Sequence, residues 1–208
     1  METTNRDLMT QARESLKGRW GLAVVGNAVY VILMALIQCI PTVGGIGNLI
    51  LGGPLLLGWS VFFLSFSRKN EAQLSQLFDG FQHVVQSLIA YVVMAVYILL
   101  WALLLIVPGI VAALSYSQSF FILADNPQME GMEVLRKSKA LMQGHRLKLF
   151  YLFWRFLGWF LLGIVTLGIG FLWIMPYLAT TLVHFYDNIR QEAGASSIPD
   201  PVAQPIQP

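Results

Sequence analysis

The residues able to do chemistry are few and scattered. The three histidines, His83, His145 and His184, stand far apart, and no two have the spacing of paired metal ligands. The single cysteine, Cys39, lies in an apolar run, which rules out an intrachain disulfide and offers no thiolate metal cluster. HExxH, a Walker-type glycine loop, GxSxG and CxxC are all absent, so metal hydrolysis, nucleotide binding and serine or thiol catalysis lack their usual residues. Asp125, followed by Asn126 and Pro127, reads as a turn and helix start. Asp79 and Asp187 fall at the ends of apolar segments. Proton-coupled pumps need ionisable groups inside the membrane, and these segments carry no acid. The expectation is a protein that is not an enzyme, with no catalytic residue, metal or cofactor.

What remains is charge at the edges of apolar sequence. Arg136, Lys137 and Lys139, backed by Arg146 and Lys148, form the densest positive run in the chain. Near an anionic leaflet each such residue contributes about 1 kcal/mol, so the run suits anionic membrane lipids or an acidic protein partner in the membrane or cytoplasm. A formal net charge of +2 is too small to suggest nucleic acid. Arg155 stands inside apolar sequence, roughly 10 Å further along a helix than Lys148, and must snorkel or find a partner. An antiparallel final hairpin makes Asp187 that expected partner, an intramembrane ion pair. Asn27, Gln38, Gln118 and Ser119 are polar positions in the apolar segments. They define the alternative function, a carrier of small molecules or lipids, which needs the four to converge on one cavity.

The elements that position these residues follow from composition. The chain is 56% hydrophobic and 12% charged, with a mean hydropathy of +0.65, far from the roughly 25% charged of an average soluble domain. Residues 125–148 form the largest polar island, and the flanking stretches 81–124 and 156–186 contain no Asp, Glu, Lys or Arg. Residues 20–67 are also free of formal charge, about twice the length that one helix needs to cross the hydrocarbon core. The expected fold is all-α: a polytopic membrane helix bundle of about six transmembrane helices in three hairpins, with amphipathic cytoplasmic surface helices. Spans are expected near 20–40, 49–67, 83–107, 109–124, 148–166 and 170–187, making 20–190 one membrane domain.

Glycine and proline mark the outer turns at 41–48, 107–109 and 166–170. A proline kink in one long tilted helix is the competing account of Pro108. Residues 1–19 are expected to form an amphipathic N-terminal surface helix, with Thr4 and Asp7 as a capping box, Leu8, Ala12, Ser15 and Leu16 on one face, and Gly18 ending it. Surface helices are also expected at 70–81, where Leu74, Leu77, Phe78 and Phe81 make one stripe, and at 127–144. The 191–208 tail should be disordered. The unit of surface helix, closing glycine (Gly18, Gly80, Gly144) and hairpin with a proline (Pro54, Pro108, Pro176) thus reads three times. Arg6, Arg13, Lys17, Arg19, Arg68, Lys69 and the basic island fall on one side, which by the positive-inside rule places both termini in the cytoplasm.

The stretches ARESLKGRWGLAV, LGWSVFFLSFSRK, VPGIVAALSYSQSFFILADNP, RKSKALMQG and TLGIGFLWIMPYLATTLVHFYD together resemble the uncharacterised bacterial membrane proteins grouped as domain-of-unknown-function family 975. The resemblance covers most of the chain up to about Asn188. It implies a multi-pass protein of the bacterial cytoplasmic membrane and carries no activity with it. A more distant likeness to the membrane regions attached to glycerophosphodiester phosphodiesterases points to lipid-related surroundings by analogy alone.

Overall fold

The computed structural model describes residues 4–39, 44–68 and 72–196. Among these the chain is all-α, built from α1 (Asn5–Leu16), α2 (Trp20–Gln38), α3 (Gly44–Ser67), a 3-10 segment (Leu74–His83), α4 (Val84–Leu104), α5 (Ile106–Tyr116), α6 (Ser119–Asp125), α7 (Gly131–Leu141), α8 (Arg146–Val165) and α9 (Phe171–Ser196). Five stretches are long and apolar enough to cross a membrane: Trp20–Gln38, Ile50–Ser67, Leu74–Leu103, Val107–Asp125 and Arg146–Val165. The charge-free first part of α9 packs antiparallel to α8. The molecule is therefore a membrane helix bundle with three hairpins, α2/α3, α4/α5 and α8/α9.

The N-terminal helix forms for the reasons its sequence gives. Thr4 caps the Asp7 amide while the Asp7 carboxylate takes the Thr4 amide, and this hydrogen bonding holds the Asp7 carboxyl below its ordinary range. Gly18 leaves the helix at φ 79°, a conformation that costs other residues energy. Leu8, Ala12 and Leu16 are fully buried. α1 is thus wedged against α9 and α8, where Leu8 joins Leu149, Phe156, Phe185 and Ile189 in one core. The larger core centres on α3, whose Phe62, Phe63 and Phe66 pack edge-on and are fully buried.

The 70–81 stretch departs from expectation. It winds as a 3-10 segment that enters the bundle, burying Leu77 and Gly80 while Phe78 and Phe81 stack on each other at its exposed side. A 3-10 helix has three residues per turn, so its buried face advances by threes, and the expected stripe at positions i, i+3, i+4 and i+7 is split. Gly80 does not close a helix. It lies where the segment crosses α3, and a methyl there would run into the Pro54 carbonyl, as one at Gly58 would into that of Leu77. The first and third units, α1–α3 and α7–α9, keep the proposed pattern, with Gly144 also at positive φ (82°) and Pro54 and Pro176 inside the returning helices. The middle one does not.

Three further differences concern boundaries. The chain turns at Leu105, extended at φ −161°, and Pro108 sits in the first turn of α5 where its missing N–H costs nothing. α5 then doubles back on α4, with Gly109 against Ala102 and Tyr116 stacked on Tyr97, so a single kinked helix is excluded. The fourth apolar stretch is broken at Ser117–Gln118 into α5 and α6. α9 continues through Glu192 to Ser196, into the stretch expected to be disordered; residues 197–208, the Pro41–Val43 part of the first outer turn and Lys69 lie outside the described residues.

The crossing at Gly58 and Gly80 sets a test. Alanine at either position should cost about 1–3 kcal/mol through overpacking and lower the thermal unfolding midpoint of the detergent-solubilised protein. Alanine at Gly21, where a methyl meets nothing within 4 Å, should leave it unchanged or raise it. A Gly58→Ala protein that melts with the wild type would mean that the two segments do not meet as described.

Candidate functional site

The ends of α3, α6 and α9 meet in a charged network that the sequence does not announce. Asp125, the last residue of α6, has a side chain only 7% exposed and accepts from four donors. Arg68 binds it with both guanidinium nitrogens, Nη1 to Oδ1 at 2.5 Å and Nη2 to Oδ2 at 2.9 Å, while Arg190 Nη1 reaches Oδ2 at 2.5 Å and Tyr186 donates its hydroxyl at 2.9 Å. Arg68 also donates to Asp187 at 3.1 Å. The Asp125 hydrogen bonds hold the Arg68 guanidinium above its ordinary range. Two arginines and two aspartates therefore balance.

A chain of hydrogen bonds extends this network toward α1. Ser67 donates to Asp187 Oδ2 at 2.9 Å, and its oxygen lies 3.3 Å from His184 Nδ1; Ser15 Oγ lies 2.9 Å from His184 Nε2. Ser67 has a single hydroxyl proton, so once it is given to Asp187 the serine must accept from Nδ1–H, and Nε2 accepts from Ser15. Serine, histidine and aspartate are close together here, with Ser15 donating to Nε2 and with Ser67, rather than the Asp187 carboxylate, next to Nδ1. Gln11, Ser67, Arg68, His184, Asn188 and Gln191 face a polar cleft of about 630 Å³ beside it.

The anticipated Arg155–Asp187 pair is not formed. Asp187 is taken by Arg68 and Ser67, whose position after α3 could not be linked to α9 from linear sequence. Arg155 is exposed on α8. Nor do the four positions of the polar path converge. Gln38 is exposed near the end of α2, and Asn27 is buried with its Oδ1 3.5 Å from the Trp59 indole nitrogen. Gln118 and Ser119 are fully buried, and a cavity of about 230 Å³ walled mainly by apolar residues such as Leu56, Met94, Phe120 and Leu182, with Ser60 and Ser117, is lined by none of the four.

The basic island is partly as expected. α7 buries Val134, Leu135 and Ser138 and exposes Arg136, Lys137 and Lys139, and Ser138 fixes it by donating to the Ser115 carbonyl at 2.9 Å. Arg146 is half-buried. Lys148 is withdrawn from the surface, donating to Asn188 at 3.2 Å and lying 3.7 Å from Glu192. Lys139 and Arg146 share a cavity of about 220 Å³ with Trp101, Pro108 and Val111.

These features define a multi-pass helical membrane protein tied together at one end by ion pairs. A family model matches residues 1–115 and 103–193, and the chain belongs to that family, described as a protein of unknown function (DUF975). No curated protein and no solved structure matches it.

The network predicts an order of damage. Asp125→Asn, which leaves two arginines facing a neutral amide, should cost about 2–3 kcal/mol, between the values of exposed and fully buried pairs. Arg190→Gln should cost under about 1 kcal/mol, because that side chain is 54% exposed. Unfolding midpoints in detergent check the order, and an Arg190 variant weaker than the Asp125 variant would reverse it.

Proposed function

We propose that this is a non-enzymatic protein of the bacterial cytoplasmic membrane, with both termini in the cytoplasm, that presents the basic face of α7 to anionic lipid headgroups. The observation that supports it most directly is the division of α7: Arg136, Lys137 and Lys139 are exposed while Val134, Leu135 and Ser138 dock the helix on the bundle. Arg146 adds to this face and Lys148 does not. The failure of Asn27, Gln38, Gln118 and Ser119 to converge weakens the carrier alternative.

Replacing Arg136, Lys137 and Lys139 with glutamine, while Arg146 and Lys148 still hold the orientation, should reduce the anionic phospholipid that copurifies with normally inserted protein. Unchanged anionic lipid would leave these charges a topological role only, and loss of a copurifying acidic protein instead would replace the lipid by that partner.

Orientation is tested by cysteine labelling in a Cys39→Ser background. With an impermeant thiol reagent, Thr166→Cys and Val107→Cys should react from outside, whereas Gln143→Cys should react only once the inner face is opened. Labelling of Gln143→Cys from outside would overturn the orientation.

A further inference from the structure

α1, α2, α8 and α9 surround a cavity of about 210 Å³ whose wall is Arg13, Trp20, Trp159, Trp173, Ile174 and Tyr177. Tyr177 holds the aromatic side chains together, with ring centroids 6.3 Å from both Trp20 and Trp159, and its hydroxyl donates to the Met9 carbonyl at 3.2 Å. Trp159 and Trp173 are about half exposed at the mouth. Arg13 comes from α1 and Arg155 from α8, both exposed. Arg155 stands four residues before Trp159 on α8, on the same side of that helix, while Arg13 forms part of the wall itself. Neither arginine makes a hydrogen bond or ion pair with another described residue, and no acid forms part of the wall.

We infer that this groove is a binding site for one anionic phospholipid, its phosphate held between Arg13 and Arg155 and its glycerol and upper acyl chain laid against Trp20, Trp159 and Trp173. Guanidinium groups match phosphate oxygens in geometry and charge, and indole rings favour the depth at which headgroup gives way to chain. Arg155 lies only about 10 Å along α8 from Lys148, the depth of a phosphate drawn slightly inward rather than of the membrane centre. The apolar mouth excludes a purely polar occupant. This site uses none of the residues of the α7 surface, so the two stand or fall separately.

The test uses the full chain in mild detergent, offered phosphatidylglycerol and phosphatidylcholine in equal amounts and observed by native mass spectrometry. Wild type should retain one phosphatidylglycerol in preference to phosphatidylcholine, and millimolar inorganic phosphate should not displace it. Arg13→Gln with Arg155→Gln should weaken that retention about tenfold or more, the loss of charge-assisted hydrogen bonds, while the α7 glutamine variant keeps it. Equal retention by the Arg13/Arg155 variant, equal binding of phosphatidylcholine, or displacement by inorganic phosphate would each overturn the assignment. Should the glutamine variant not fold, Trp159→Leu with Trp173→Leu leaves both charges in place and decides the matter: reduced retention supports the site and unchanged retention overturns it.

Discussion

The carboxylate of Asp125 is the interaction on which the assembly of the bundle depends. α3, α6 and α9 each arrive at the same end of the molecule with a charge that would repel or be stranded without it. Arg68 and Arg190 are brought together by their helices, and two guanidinium groups this close are compatible only because one buried anion lies between them. Asp187 completes the balance by taking the remaining reach of Arg68. Each helix end is thereby positioned by charge as well as by packing. The position of the network at the end of the apolar helices suits it to this role, since the same four charges placed mid-bilayer would have to overcome a far larger desolvation cost.

Above this clamp, close approach replaces charge. Lipid tails give helices no hydrophobic reason to associate, so contact surface must come from backbones that nearly touch. Gly58 and Gly80 provide it, and the 3-10 winding of 74–83 turns Gly80 toward α3. The second hairpin continues from this crossing, and Pro108 at its tip shares a cavity with Lys139 and Arg146.

Much of this was legible in sequence because the signals are local. The Thr4–Asp7 capping box, Gly18 and Gly144 as helix ends, the division of α7 into apolar and basic sides, and the three hairpins all follow from propensities and periodicity within a few residues. The misses share a cause too. The partner of Asp187, the Arg68–Asp125–Arg190 cluster and the crossing of the 3-10 segment depend on which helices become neighbours, and hydropathy says nothing of that. One signal was available: Arg68, Asp125, Asp187 and Arg190 all stand just beyond apolar runs, and balanced charges at span ends invite pairing. Lys148 shows the limit of counting charges, since its position in a basic run did not reveal that Asn188 and Glu192 would claim it.

The distribution of satisfied and unsatisfied charge bears on function more than any motif. At the polar cleft the acids are occupied: Asp125 has four donors and Asp187 has two, and His184 is held between two serines. The basic residues are different. Arg13 and Arg155 make no ion pair with another described residue, and α7 exposes Arg136, Lys137 and Lys139 alongside Glu133, in two separate regions. Both regions suit the anionic headgroup that we propose for them, one by exposed charge on a helix docked through its apolar side and one by guanidinium groups beside indole rings.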